Sequence, residues 1–282
     1  MCSSDLGRPY FDFFLRVFGI PLLLLMGIGP LIAWRRSSVR GLLKILRWPI
    51  AAAVITGAVL IALGYGSSRP GIIAYSFCAF ELATIVVELV RGTRVTGSLF
   101  ELVARNRRRY GGYVVHALIV LLAIGIVGSS SYSSEKDVQL KRGESVTVAG
   151  RTLTFDGIER GQSSNANETR AVMTITGRAS GTLKTGVNNY FNGDTSREVG
   201  IHTNWLRAED TYVIFDQQSG AVGGVGTGPG GNGVVFFKVL VKPLVNLIWV
   251  AGIVFLFGSL VALWPDAREQ RRLITRLQLA RA

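Results

Sequence analysis

RRRYGGYVVHALIVLLAIGIVGSS, residues 107–130, decides the fold. Three arginines precede 21 uncharged residues, Tyr110 to Ser130, and a single histidine, His116, sits among them. At 1.5 Å per helical residue such a run measures about 30 Å, the thickness of a bilayer's hydrocarbon core. Four further runs are almost free of charge: Phe11–Trp34, Trp48–Tyr65, Pro70–Val90 and Leu240–Trp264. Of the 282 residues, 49% are hydrophobic and 17% are charged, against about a quarter charged in soluble domains. The reading is an integral membrane α-helical protein of about five transmembrane helices.

The net charge of +13 is not a nucleic-acid signature. Ser130 to Lys238 holds eleven basic and eleven acidic residues, so that stretch is neutral. The excess sits in three short clusters, after the first, third and fifth runs. They are Arg35, Arg36, Arg40, Lys44 and Arg47; then Arg91, Arg94, Arg105, Arg107, Arg108 and Arg109; then Arg268, Arg271, Arg272, Arg276 and Arg281. The positive-inside rule puts these in the cytoplasm and the long neutral stretch outside. Trp34, Trp48, Tyr65, Tyr110, Tyr113 and Trp264 fall near the run ends, where interface aromatics sit. Leu99, Phe100 and Val103 have helical spacing, as in a piece lying on the membrane surface.

The external stretch alternates with period two in ESVTVAG, RTLTFDGI, AVMTITGR, EVGIHTN and DTYVIFD. We expect one extracytoplasmic β-rich domain, a small sandwich or barrel, inserted before the last helix. The glycine-rich GAVGGVGTGPGGNG precedes a final strand and helix. The expected boundaries are 8–128 for helices one to four, 129–238 for the β-domain, 239–265 for helix five and 266–282 for a basic tail. The opening MCSSDLG looks unrelated to the rest of the chain and lacks a signal-peptide pattern, as in a truncated start.

His116 lies seven residues past Arg109, about 10 Å into the bilayer from the cytoplasmic side. An ionisable group at that depth is costly and usually functional. Imidazole is a common axial ligand of haem iron, so His116 is the candidate cofactor-binding and metal residue. The plainer alternative is a neutral histidine hydrogen-bonded to another helix. Gly111, Gly112 and Gly125 would let a flat macrocycle or another helix approach. The other histidine, His202, reads as a surface or packing residue. Glu81, mid-run, either faces a cofactor or quinol site or makes a helix-packing hydrogen bond. Glu88 reads as a partner of Arg91. Arg107, Arg108 and Arg109 read as topology determinants, or as partners of a haem propionate. Cys2 and Cys78 are far apart and make no disulfide framework or zinc site, and Cys78 reads as a small buried residue. No serine–histidine–aspartate arrangement, P-loop or dinucleotide fingerprint is present, so no catalytic residue is assigned.

Four segments in order, GIGPLIAW (27–34), RYGGYVVHALIVLLAIGIVGSS (109–130), EVGIHTNWLRAEDTYVI (198–214) and FFKVLVKPLVNLIWVAGIVFLFGSLVALW (236–264), closely resemble the C-terminal part of the CcmF family. This family is the haem lyase subunit of the bacterial cytochrome c maturation system. The resemblance implies residence in the cytoplasmic membrane of a bacterium. It implies work on haem delivered by the chaperone CcmE, and thioether formation with the CxxCH cysteines of apocytochrome c, beside a CcmH-type thiol-handling subunit. It also implies a separate haem b inside the membrane, passing electrons from quinol, with His116 matching one of its axial ligands. The family's tryptophan-rich haem-cradling segment and its other haem-binding histidines have no counterpart in these residues. The haem b would be shared with that upstream segment, and the chain by itself is expected to be inactive. The alternatives are a membrane scaffold whose β-domain binds partner proteins, and a transporter-like subunit. For the latter, no discontinuous helix pair or inverted repeat is visible.

Overall fold

The computed structural model describes residues 8–29, 39–105, 107–216 and 234–263. The chain divides into two compact units: Gly128–Asn246 forms one, and the helices before and after it form the other.

In the helical unit, α1 is built from three contiguous pieces, Arg8–Phe14, a wider π-type turn at Leu15–Gly19, and Ile20–Ile28. It is followed by α2 (Val39–Ala62), α3 (Arg69–Thr96), α4 (Leu99–Arg105), α5 (Arg107–Ser131) and, after the strands, α6 (Asn246–Leu263). Three helical stretches among the described residues are long and apolar enough to cross a membrane: Leu43–Ala62, Arg69–Thr96 and Arg109–Ser131. Leu15–Ile28 and Asn246–Leu260 are shorter apolar helices. Each of these five overlaps one of the five runs read from the sequence. The remainder of the first run, Trp34, Trp264, Cys2 and the basic tail lie outside the described residues.

Helix α3 starts cleanly. The Ser68 hydroxyl accepts from the Gly71 amide at 3.2 Å, and Pro70 occupies the first turn, where its missing N–H costs nothing. It ends at Gly97, whose φ of 76° is left-handed. Helix α3 is the hub of the unit. Cys78 packs with Leu23 of α1 and Val120 of α5, and Ile85 packs with Leu102, Tyr110 and Tyr113. The Tyr75 hydroxyl donates to the Ile124 carbonyl at 3.3 Å. Gly27 permits the closest α1–α3 approach, since a Cβ there would lie 2.7 Å from the Phe80 ring. Outward-facing residues are apolar: Val54, Ile55 and Ile61 on α2, and Ile253, Leu256 and Leu260 on α6. Large apolar faces of this kind suit hydrocarbon rather than water. Tyr110 and Tyr113, near the start of α5, are buried against neighbouring helices, with rings 5.6 Å apart.

The second unit is a β-sandwich, one of the two architectures expected. Among the described residues its strands are β1 (Ser134–Leu140), β2 (Ser145–Val148), β3 (Arg151–Gln162), β4 (Ala166–Gly177), β5 (Gly181–Tyr190), β6 (Thr195–Glu198), β7 (Gly200–Asn204), β8 (Glu209–Asp216) and β9 (Val235–Pro243). One sheet has the order β1-β9-β8-β7 and the other β2-β3-β4-β5-β6. All pairings are antiparallel. The core lies between the sheets and includes Leu153, Met173, Ile175, Val187, Val213, Phe237 and Val239. Along β9, Val235, Phe237, Val239 and Val241 point inward in strict alternation. Strand β5 crosses β4 so closely that a Cβ on Gly186 would stand 2.1 Å from the Thr169 carbonyl oxygen, so only glycine fits.

The last apolar run divides differently from the expectation of a helix over 239–265 after a β-domain ending at 238. Leu240 pairs with Glu135 and Tyr212, β9 continues to Pro243, and α6 starts at Asn246. A run of β-branched residues buried on one face reads as a helix start when only apolarity is counted. Leu244, with φ of 61°, turns the chain between the two elements.

Candidate functional site

Glu81 is on α3 and His116 on α5, and the packing of these helices brings the two side chains together. His116 Nδ1 lies 3.3 Å from Glu81 Oε1. The Glu81 side chain is 1% exposed and the His116 side chain 33%. Their contact is close enough for an ion pair or hydrogen bond but is poorly aligned. Both Glu81 carboxylate oxygens and His116 Nδ1 are buried without a hydrogen bond of good geometry. Buried polar atoms of this kind are uncommon and call for an explanation, above all in an apolar surrounding. Nδ1 is sealed against the carboxylate, so the ring's exposure belongs to its other atoms.

This arrangement suits a ligand histidine. Histidines that bind metals nearly always present the second ring nitrogen to a carboxylate or carbonyl, which fixes the tautomer and aims the first nitrogen outward. One turn before His116, a Cβ on Gly112 would meet nothing within 4 Å, so open space borders the ring. Gly111 and Gly125 are buried. His116 could therefore serve as one ligand of a haem iron. Among the described residues, no group of three or more His, Cys, Asp or Glu side chains could hold a metal ion.

Glu88, two turns from Glu81, pairs with Arg91 at 3.1 Å as expected, and also with Arg109 of α5 at 2.8 Å. Arg109 Nε donates to the Tyr113 hydroxyl at 3.0 Å. Arg109 is thus a strut between α3 and α5, while the side chains of Arg107 and Arg108 lie outside the described residues. Cys78 is buried beside Val120, as a small core residue. His202 stands in the other unit, on β7. Its Nε2 lies 3.1 Å from the Ser180 carbonyl oxygen, so it ties β7 to the β4–β5 turn in a packing role.

The pairing of Glu81 with His116 escapes a reading of either residue alone. One signal points to it. Glu81 is ten residues before Arg91 and His116 seven after Arg109, so their depths are about 15 Å and 10 Å, within one helical turn.

Residues 131–226 match the model of the CcmF C-terminal β-sandwich. The chain is 28% identical over 263 residues to a cytochrome c-type biogenesis protein CcmF of Pseudomonas fluorescens, covering 92% of this chain and 38% of that protein. It is 26% identical over 284 residues to CcmF of Escherichia coli, covering 96% and 39%. With cytochrome c-type biogenesis protein CycK of Bradyrhizobium diazoefficiens it shares 25% identity over 279 residues, covering 93% and 39%. A solved structure titled cytochrome c heme lyase CcmF superposes with a TM-score of 0.69 at 26% identity, covering 92% of this chain and 41% of that one. The chain thus spans about two fifths of the length of the relatives it matches. Apolar helices, the β-sandwich and these likenesses agree: this multi-pass membrane protein is similar over most of its length to the C-terminal part of CcmF proteins, and its residues 131–226 match the CcmF C-terminal β-sandwich.

Proposed function

We propose that this chain is the C-terminal portion of a cytochrome c haem lyase, and that His116 is one axial ligand of an intramembrane haem b. The observation that carries the reading is the buried Glu81 carboxylate 3.3 Å from His116 Nδ1. In hydrocarbon, an unpaired carboxylate beside an imidazole is expensive, and a structural role would be served as well by two apolar residues. Glu81 holds the proton of the ring on Nδ1 and keeps Nε2 as the free donor. Haem bound there would supply a one-electron couple between quinol and the iron of incoming haem, which must be reduced for its vinyl groups to add the cysteine thiols of CxxCH. Arg109, fixed by Glu88 and Tyr113, keeps α3 and α5 in register so that the pair stays assembled. Burial leaves the Glu81 side chain 1% exposed, which shuts water away from the carboxylate side.

In this reading the basic clusters face the cytoplasm, all five apolar runs cross the inner membrane, and the β-sandwich lies on the extracytoplasmic side. There it would form part of the face where the chaperone CcmE, the CcmH-type subunit and apocytochrome c dock.

The test is spectroscopic. In protein of full family length, His116→Ala should abolish the low-spin b-type absorbance, and added imidazole should restore it. An unchanged spectrum sinks the assignment and favours a scaffold. Glu81→Gln should keep the absorbance but slow reduction by quinol; an unchanged rate leaves Glu81 a packing residue. Deleting residues 131–235 should stop cytochrome c production while the haem band persists, and continued production would refute the docking role.

A further inference from the structure

Within the helical unit, the corner between α3 and α4 turns apolar side chains outward. Val95, in the last turn of α3, is 86% exposed, and Leu99 and Phe100 at the start of α4 are 53% and 89% exposed. The other edge of α4 is anchored. Leu102 is buried in one cluster with Ile85, Tyr110 and Tyr113. Gly92 makes room for it, since a Cβ there would stand 2.6 Å from the Leu102 side chain and 2.8 Å from the Tyr110 hydroxyl. At about 3.6 residues per turn, Leu102, Leu99, Val103 and Phe100 form one continuous arc, and the exposed Glu101 falls outside it. Helix α4 thus has one apolar edge on protein, a second on its surroundings, and a polar side.

The packing of α3 on α5 gives the level of this corner. Glu88 pairs with Arg109 and Ile85 packs with Tyr113, so the two membrane-length helices reach one level there. The apolar run of α3 stops at Val90, and that of α5 starts at Tyr110. Val95 is five residues past Val90, about 7 Å along the helix and so the depth of one headgroup layer. Leu102 reaches back to Ile85, inside the apolar run, so α4 lies no farther out than the headgroups. The cations stand at the same level. Arg91, Arg94 and Val95 share one stripe of α3. Arg91 and Arg109 both grip Glu88, yet their side chains stay 54% and 55% exposed. That trio keeps one positive charge, and the exposed Arg94 adds another.

We propose that the α3–α4 corner is a binding site for an anionic phospholipid, with Val95, Leu99 and Phe100 against its acyl chains and Arg91 and Arg94 on its phosphate. A partner here must offer hydrocarbon and negative charge one above the other, at the edge of the bilayer core. An anionic phospholipid carries both, and it surrounds every spanning helix at that level. Arginine suits the phosphate because its planar fork donates two hydrogen bonds at once. The charge decides for an anionic headgroup over a zwitterionic one. From Glu88 to Arg109 the chain holds six arginines and two glutamates. The site is separate from the Glu81–His116 pair and does not depend on a haem there. Its role is to hold α4 in the plane of the leaflet, beside the Glu88–Arg109 strut.

The test uses the full chain in nanodiscs of phosphatidylcholine. Spin-labelled phosphatidylglycerol or spin-labelled phosphatidylcholine is added in trace amounts, and the share of motionally restricted label is read from the spectrum. Phosphatidylglycerol should be preferred by about threefold or more, and joint substitution of Arg91→Gln and Arg94→Gln should cut that preference by at least half. No preference in the unaltered chain, or a smaller fall in the variant, overturns the proposal. A second measurement asks what touches the apolar edge. With Cys2→Ser and Cys78→Ala removing the native thiols, a nitroxide is attached through Phe100→Cys or, separately, through Glu101→Cys. Its collisions with oxygen, which concentrates in lipid, and with a water-soluble nickel chelate are compared. The oxygen-to-nickel ratio at 100 should exceed that at 101 by about threefold, because the two positions face hydrocarbon and water. Equal ratios overturn the proposal. A label at 100 shielded from both reagents is equally fatal, because protein then covers the edge.

Discussion

The sandwich and the helical unit pair their charges in different styles. In the sandwich, Arg170 is gripped by both Glu168 and Glu198, and Glu198 also accepts from the Asn188 amide. The buried Arg151 guanidinium meets Glu209 across the two sheets. In the helical unit, the environment is less forgiving, yet Glu81 and His116 are left with a single misaligned contact. In the sandwich, Arg151–Glu209 and Arg170–Glu198 tie strand to strand. In the helical unit the Glu81–His116 contact is sparse and its setting apolar. That contrast can be attacked at several points.

The largest effect belongs to Glu209. Glu209→Ala strands the buried Arg151 charge and should destabilise the sandwich by on the order of 3 kcal/mol. Adding Arg151→Met should recover most of that. Urea unfolding followed by hydrogen exchange in β3 and β8 reads both, and a loss under about 1 kcal/mol would deny the pair its structural role. Next comes Gly186→Ala, whose Cβ collides with the Thr169 carbonyl. It should cost about 1–3 kcal/mol, with β4 and β5 exchanging first. Glu81→Gln sharpens the comparison from the other side. It keeps shape and removes charge, so thermal unfolding in detergent should move by about 1 kcal/mol or less while quinol-driven reduction slows. A collapse of the helical unit instead would make the pair structural.

Smaller still is a pH effect at Glu198. Hydrogen bonding to Arg170, then to Asn188, holds this carboxyl below its ordinary value of 4.5. A carboxyl depressed by folding stabilises above its unfolded pKa, and loses that contribution as pH falls through the folded one. Sandwich stability should therefore decline below about pH 4.5, and Glu198→Gln should flatten that limb. Arg91→Ala should matter least. Glu88 keeps Arg109, and an exposed i,i+3 pair contributes about 0.5 kcal/mol or less, read as a melting-temperature shift near zero.

How much of this could be read beforehand depends on the physics of each part. Membrane-length apolarity is a strong local signal, and the runs around Val54, Ile85 and Val120 became helices where expected. Strands β2, β3, β4, β7 and β8 alternate visibly because one face of each is buried. Strands β1 (SEKDVQL) and β6 (TSRE) are polar edge strands with little to bury, and β5 (GTLKTGVNNY) mixes glycine and asparagine into its interior. β1 pairs with β9, far along the chain, and β5 and β6 carry too little apolar alternation to stand out, so composition hides them. At the site, His116 and Glu81 each stood out by depth. Their contact depends on the rotation of two helices about their axes, which Tyr75, Gly27 and Cys78 settle only in three dimensions.

The sheet order has a further consequence, for the timing of folding. Strands β2 to β6 pair with sequence neighbours, so that sheet can zip hairpin by hairpin as the chain emerges. Strand β1 cannot join in. Among the described strands its hydrogen-bonding partner is β9, and Leu140 waits for Val235, 95 residues later. Until then β1 and β8 both present bare backbone edges, the usual nucleus of mispairing. Ser134, Glu135, Lys136 and Asp137, which make β1 so poor a strand by composition, are well suited to that interval. A strand that must wait is safest when nothing else wants to pair with it.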